Sequence, residues 1–309
     1  MSTNNYKNAL KGHVALVTGA SRGIGRGIAL QLGEAGAVVY ITGRQKSPEQ
    51  EQQQSSAKYP TLEETANEVT ARGGKGILVY CDHEDENQVE AVFEKIDKEQ
   101  NGQLDILINN AYAGLMTVLG VGKTKFWELP TSVYDTVNNT GLRNHYVCAV
   151  LAAKLMVPRR KGLIVTVSSL GGIGYLFNVA YGIGKAACDK LASDTAMELR
   201  EFNITSVSLW PGPVKTELIQ ENVLNRVEKV KYKSAFAAGE SSEFSGKCVA
   251  ALASDPNNFE LTGRILTTDL LGKKYNLKDV DGASVSHPSL EPFADIVENL
   301  NNFRAPLKI

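Results

Sequence analysis

Seven short runs rich in β-branched residues, each followed by a stretch long enough for a helix, fill the chain from residue 14 to about 268. That alternation narrows the architecture to a parallel sheet with helices on both faces, because parallel neighbours need a crossover between them. The runs are His13–Thr18, Val38–Thr42, Gly76–Tyr80, Leu104–Asn109, Leu163–Ser168, Thr205–Trp210 and Arg264–Thr268. Several, such as Asp105-Ile-Leu-Ile and Leu163-Ile-Val-Thr-Val, are unbroken apolar stretches. A strand covered on both faces reads that way, whereas a half-exposed one alternates. Helices are expected over Ile24–Glu34, Leu62–Arg72, Glu84–Glu99, Thr131–Leu155, Ala180–Phe202 and Ser241–Ala253. The last two carry many small residues, which lets another helix approach closely, at a core face or a subunit interface. The fold class is therefore α/β: a doubly wound parallel sheet in three layers, α/β/α, forming a single domain over residues 1–273 with a tail over 274–309.

Four stretches read as additions to this plan. Gln45–Pro60 is polar and rich in Gln and Ser, the composition of a loop or spacer. Leu115–Leu129 mixes apolar residues with Gly and Lys, Leu218–Ala238 follows Pro211-Gly212-Pro213, and the tail has no clear period. Within that tail Phe293, Ile296, Val297, Leu300 and Phe303 are spaced for one side of a short helix, so it is expected to pack on its own subunit or a neighbour.

Bulk properties remove other classes. A formal charge of −1 gives no electrostatic footprint for nucleic acid or an anionic membrane. Cys81, Cys148, Cys188 and Cys248 are far apart and read as reduced intracellular thiols. The start of the chain has no apolar signal region, and no run approaches the ~20 apolar residues of a spanning helix. A cytoplasmic location follows. His13, His83, His145 and His287 lack metal spacing, so no metal is expected. Gly122-Lys123-Thr124 resembles the end of a triphosphate loop, but Thr117 stands where that loop needs its first glycine.

The first strand runs directly into Thr18-Gly19-Ala-Ser-Arg-Gly23-Ile-Gly25 and then an amphipathic helix. Glycines at this junction permit a tight turn, let the backbone approach a pyrophosphate and let the helix pack on the strand. The helix N-terminus offers its free N–H groups to phosphate. An enzyme that takes NAD usually ends its second strand in Asp or Glu, for the ribose hydroxyls. Here that strand ends in Gly43-Arg44, and Arg22 adds a second cation. A 2′-phosphate repels a carboxylate and bonds to guanidinium, so NADP(H) is expected over NAD(H).

Tyr181-Gly-Ile-Gly-Lys185 opens a long helix, with Tyr181 and Lys185 at i and i+4 on one face. A phenol has a pKa of about 10, too high for easy proton exchange at neutral pH. An ammonium about 4 Å away supplies about 4 kcal/mol at an effective dielectric near 20, enough to lower that value by up to roughly three units. The fifth strand ends in Ser168-Ser169, and Ser168 lies thirteen residues before Tyr181, at the strand end that faces a ligand crevice in doubly wound sheets.

With these motifs in place, residues 13–270 resemble the short-chain dehydrogenase/reductase family. The resemblance rests on Thr18-Gly-Ala-Ser-Arg-Gly-Ile-Gly25, Asn109-Asn-Ala111, Ser168, Tyr181-x-x-x-Lys185 and Pro211-Gly212, in family order. It implies a Rossmann fold and hydride exchange between a nicotinamide cofactor and a carbonyl or alcohol. Tyr181 would then give the proton to the carbonyl oxygen, Lys185 would lower the tyrosine pKa and hold the ribose, and Ser168 would orient the substrate oxygen. Asn138 matches the family asparagine that holds a water in the proton relay, with Asn139 as a rival. Gly19, Ser21, Arg22, Gly23, Ile24 and Gly25 would form the cofactor turn, with Arg44 at the ribose. Asp82 matches the adenine contact, Asn109 and Asn110 line the cofactor, and Pro211, Val214 and Thr216 lie by the nicotinamide. Tyr112 departs from the pattern, standing where many members have glycine.

Leu115, Met116, Val118, Leu119, Phe126, Trp127, Leu218, Ile219, Val223 and Leu224 suggest an apolar lining and so a hydrophobic carbonyl substrate, such as a steroid, a lipid or an aromatic ketone or aldehyde. Residues 218–238 are expected to act as a lid over it. The resemblance also implies a homo-oligomer, dimer or tetramer, and a relative that associates peripherally with the endoplasmic reticulum. A non-catalytic NADP-binding scaffold on the same fold is the alternative reading.

Overall fold

The structure is a computed structural model and describes residues 6–45, 59–121, 124–227, 232–288 and 290–303. Most of the polar stretch 45–60, together with Gly122 and Lys123, lies outside the described residues. The strands are β1 (Val14–Val17), β2 (Val38–Gly43), β3 (Lys75–Tyr80), β4 (Ile106–Asn109), β5 (Gly162–Val167), β6 (Ile204–Trp210) and β7 (Ile265–Thr267). They form one seven-stranded sheet in the order β3-β2-β1-β4-β5-β6-β7, flanked by helices as expected. The chain divides into two compact units.

The first unit takes residues 1–82, 212–254 and 268–286. β1 pairs in parallel with β2, Val14 opposite Val38, and β2 with β3, Val38 opposite Lys75. All four residues of β1 are buried, which explains its unbroken apolar sequence. Helix α1 (Gly23–Glu34) begins at the glycine-rich turn, and α2 (Leu62–Ala71) starts at Thr61, whose hydroxyl accepts from Glu64 N–H while the Glu64 carboxylate accepts from Thr61 N–H. This reciprocal cap satisfies two of the helix's open donors.

The second unit takes residues 83–211, 255–267 and 287–309. β4, β5, β6 and β7 pair in parallel, with Ile106 opposite Leu163, Thr166 opposite Ser208 and Ser208 opposite Ile265. Helix α3 (Glu86–Gln100) starts at Asp85, whose side chain accepts from Asn87 N–H. The stretch 115–129, read as an inserted loop, holds a short helix α4 (Leu115–Gly120) and a 3₁₀ turn at Phe126–Glu128. The single helix expected over Thr131–Leu155 is two helices, α5 (Ser132–Asn138) and α6 (Asn144–Arg159), joined by a π-turn at Asn139–Arg143. A π-turn slips the hydrogen-bond register by one residue while the apolar spacing runs on, so periodicity alone reads through it. The long helix expected from Ala180 is α7 (Val179–Leu199), closed by a 3₁₀ turn at Arg200–Phe202.

In the first unit the segment 218–238 opens with a single helical turn, Glu217–Ile219, and a π-turn, Gln220–Leu224, with Ile219 and Val223 buried. It ends in α8 (Lys233–Ala237), and residues 228–231 lie outside the described part. Helices α9 (Ser242–Ser254) and α10 (Thr268–Lys274) complete that unit. The tail forms α11 (Ala294–Phe303) in the second unit, where Asn301 bonds through its amide to both the N–H and the C=O of Ile265 on β7, at 2.8 and 3.1 Å. Among the described residues no helix is long and apolar enough to cross a membrane.

Candidate active site

In the first unit the glycine-rich turn has the geometry its sequence demands. Gly19 and Gly23 have φ of +67° and +59°, a region costly for residues with a Cβ. The Gly19 N–H donates to Thr42 Oγ1 at 3.3 Å, tying the turn to β2. Gly23 is the first residue of α1, and its N–H donates to the Glu217 carboxylate at 2.8 Å. An acidic group therefore already sits on the opening amide of this helix, which is where a phosphate is bound by dipole and open donors. Ser21, Ile24 and Gly25 share that turn, and a Cβ added at Gly23 would lie 3.3 Å from Thr216 Cγ2. Val214 is buried and pairs through its backbone with Glu240.

The Arg22 guanidinium lies over the Tyr59 ring, 5.7 Å from its centroid. Burial pushes its pKa below arginine's ordinary range; Glu217 opposes that, and the like charge of Arg44 adds to it. Arg22 and Arg44 are thus close enough to feel each other, with Arg44 exposed at the end of β2. Asp82 is partly buried just past β3. Glycine turn and helix terminus fit an anionic dinucleotide cofactor.

The second unit carries the titratable cluster. Asn178 caps α7 by accepting from the Tyr181 N–H at 2.9 Å, which fixes Tyr181 in the first turn and Lys185 one turn later. Two turns on, Asp189 accepts from Trp210 Nε1 at 2.8 Å and locks the helix to β6. Tyr181 is nine-tenths buried, and its hydroxyl shares a 2.8 Å hydrogen bond with Ser169 Oγ. Ser169 Oγ also accepts from Gly171 N–H at 2.9 Å, which leaves its own proton for the phenol or for a ligand oxygen. The expectation for Ser168 is corrected here: its hydroxyl donates to the Lys185 carbonyl at 2.9 Å and is buried. Successive residues of an extended chain point to opposite sides, so only one of two adjacent serines can meet the phenol. Sequence spacing alone did not separate them.

Asn138 lies at the end of α5, buried, with Nδ2 donating to the carbonyls of Tyr134 and Ala180 at 3.1 and 3.2 Å, while Asn139 is exposed. Glycine at 184 is what admits it: a Cβ there would lie 2.0 Å from Asn138 Oδ1. The Asn109 amide donates to the His145 carbonyl at 2.9 Å, and its Oδ1 is buried with no hydrogen-bond partner among the described residues. Asn110 and Pro211 are partly buried. His145 Nε2 donates to the Ala111 carbonyl at 3.1 Å, and burial, reinforced by Lys185, lowers its pKa to about 3, so it stays neutral.

Lys185 lies one helical turn from Tyr181. Its ammonium donates to the Val167 carbonyl at 3.0 Å, and burial raises the phenol to about 12, with Ser169 pulling the other way. Around the phenol lies an apolar cluster of Val118, Val137, Tyr112, Leu115, Leu176 and Phe177. Of the residues expected to line the substrate space, Val118 and Leu115 are in it, whereas Phe126 and Trp127 are exposed and stack edge to face on each other. The described residues contain no group of three or more His, Cys, Asp or Glu able to hold a metal.

A doubly wound sheet with an anion-binding first turn and a buried tyrosine paired with serine defines an oxidoreductase of the nucleotide-binding α/β class. Residues 13–226 match the family model described as short chain dehydrogenase, and the chain belongs to the short-chain dehydrogenase/reductase family, enzymes that act on CH–OH and C=O groups. It is 51% identical over 281 residues to human Dehydrogenase/reductase SDR family member 1, covering 89% of this chain and 86% of that one. NADPH-dependent aldehyde reductase 2, chloroplastic, of Arabidopsis thaliana is 30% identical over 262 residues, 83% of this chain and 92% of its own. Among solved structures, a putative NAD(P)-dependent gluconate 5-dehydrogenase from Beutenbergia cavernae with bound NADP superposes with a TM-score of 0.69 at 25% identity, covering 86% of this chain and 98% of that one.

Proposed function

We propose that this chain is an NADP(H)-dependent oxidoreductase that reduces a hydrophobic carbonyl compound, a steroid, lipid or aromatic ketone or aldehyde, or runs the reverse alcohol oxidation. The observation that carries the reading is the 2.8 Å hydrogen bond between the Tyr181 phenol and Ser169, one helical turn from Lys185. A bound nicotinamide cofactor supplies or accepts the hydride. Everything else is done by the chain. The Ser169 hydroxyl orients the substrate oxygen, and Tyr181 gives that oxygen its proton. A phenol kept protonated by burial suits the acid role in reduction. Asn138, held on the Ala180 carbonyl next to Tyr181 in sequence, and Lys185 are the residues we assign to returning a proton to the phenol.

The preference for NADP(H) is supported by Arg44 and Arg22 and by the absence of an acid after Gly43; one curated relative is named as NADPH-dependent and one solved neighbour holds NADP. The apolar cluster about Tyr181 supports a hydrophobic substrate. We assign residues 1–273 to one dehydrogenase/reductase domain with 274–309 as its tail, acting in the cytoplasm as a homo-oligomer. Tyr181→Phe should cut NADPH-dependent turnover of a ketone panel by at least ~10²-fold while NADPH binding by fluorescence persists. Ser169→Ala should fall further than Ser168→Ala. Near-normal turnover in Tyr181→Phe would overturn the assignment.

A further inference from the structure

The departure at position 112 places a second phenol against the first. The Tyr112 and Tyr181 rings meet edge to face with centroids 6.3 Å apart. The Lys185 Nζ lies over the face of Tyr112, 5.1 Å from its centroid, closer than the 5.9 Å to the Tyr181 ring. Both distances are within the ~6 Å at which an aromatic quadrupole attracts a cation. Room for the extra ring comes from two glycines. A Cβ at Gly141 would lie 2.7 Å from Tyr112 Cδ2, and one at Gly114 would lie 2.8 Å from the Tyr112 hydroxyl. Their absence of side chains admits a ring at a position where many family members carry glycine.

The surroundings of Lys185 make the ring face matter. The lysine is buried, and among the described residues no carboxylate pairs with it; its one hydrogen bond in this region runs to the Val167 carbonyl. The other titratable groups near this pair are His145 from α6 and Cys188 and Asp189 from α7 itself. His145 is neutral, burial raises the Cys188 thiol to about 11, and the Asp189 carboxylate accepts from Ser208 Oγ and Trp210 Nε1. A buried ammonium bonded to a single carbonyl gains from an aromatic face more than a solvated one does.

We propose that Tyr112 is a positioning residue whose ring face holds the Lys185 ammonium beside Tyr181. The proposal rests on the reading of Tyr181 and Lys185 as the proton-handling pair. The Tyr112 hydroxyl is buried and has no hydrogen-bond partner among the described residues, so the ring and not the hydroxyl makes the contact. Tyr112→Phe keeps the face and removes only the oxygen, whereas Tyr112→Leu removes the face and leaves an apolar group.

Two readouts separate the possibilities. In protein labelled with ¹³C at lysine Cε, the Lys185 methylene resonance, assigned with Lys185→Arg, should be shifted upfield by the ring in wild type and Tyr112→Phe and should lose that shift in Tyr112→Leu. In the alcohol-oxidation direction, the rise of rate with pH reports loss of the Tyr181 proton; it should move up by about half to one pH unit in Tyr112→Leu and stay in place in Tyr112→Phe. Tyr112→Phe behaving like Tyr112→Leu, or Tyr112→Leu keeping both the resonance and the profile, would overturn the proposal. If Tyr112→Leu does not fold, a wild-type Lys185 resonance at its random-coil position overturns it alone. Full turnover in Tyr181→Phe would sink the catalytic reading instead, and the resonance would still report the ring contact.

Discussion

The Tyr181 hydroxyl shows how burial and hydrogen bonding compete at one atom. Simple electrostatics from the i, i+4 spacing predicts a phenol depressed by its lysine, yet the folded environment moves it up to about 12. Desolvation penalises the phenolate more than the Ser169 hydrogen bond stabilises it. The identities of Tyr181 and Lys185 were legible because their spacing is a helical property. Which of Ser168 and Ser169 meets the phenol was not, because that depends on the direction of one side chain at the end of β5. The resemblance favours Asn138 with Asn139 as a rival, and the structure buries the first and exposes the second. The exposed Arg44 makes a prediction at this scale. Arg44→Asp should weaken NADPH binding by about 10- to 100-fold, the value of a charge-assisted hydrogen bond, with NADH affinity little changed. Titration of both cofactors by fluorescence checks it, and an unchanged ratio would mean the guanidinium does not meet the 2′-phosphate.

Between elements, the closest approach in the first unit is the crossing of α1 and α9. A Cβ at Gly27 would lie 2.1 Å from the Ser242 carbonyl oxygen, and one at Gly246 would lie 2.3 Å from the Gly27 carbonyl oxygen. Both clashes are with backbone, which cannot swing aside. Sequence reading saw that α9 is rich in small residues and left core face and subunit interface open; Gly246 belongs to a core face, packed on α1 of its own chain. Gly27→Ala should therefore destabilise by about 3 kcal/mol or more, since overpacking against backbone has no rotamer to relieve it. The measurement is the urea midpoint, and a shift worth less than 1 kcal/mol would mean that the helices separate cheaply. The π-turn at 139–143 is the opposite case: it lies within the apolar pattern of Thr131–Leu155 and left no mark on it. It follows directly on Asn138, so the register slip and the positioned amide occur together.

At the level of the whole chain, the seven parallel strands could be anticipated because buried parallel strands are written as unbroken apolar runs. The apolar spacing of the tail anticipated the helix at Ala294–Phe303 but not its bond to β7, since a contact made by one asparagine leaves no periodic trace. That contact has a consequence for how copies of this chain meet. β7 is the last strand in the sheet order, and a terminal strand offers its N–H and C=O to any extended segment that drifts past. The Asn301 amide matches both groups of Ile265 at once, donor to acceptor and acceptor to donor. Asn301→Ala should expose that edge and give concentration-dependent self-association by sedimentation velocity, where an unchanged distribution would show that the edge is protected otherwise. One side chain in the last helix thus occupies the backbone groups of Ile265 that an added strand would use, a latch closed by a single amide.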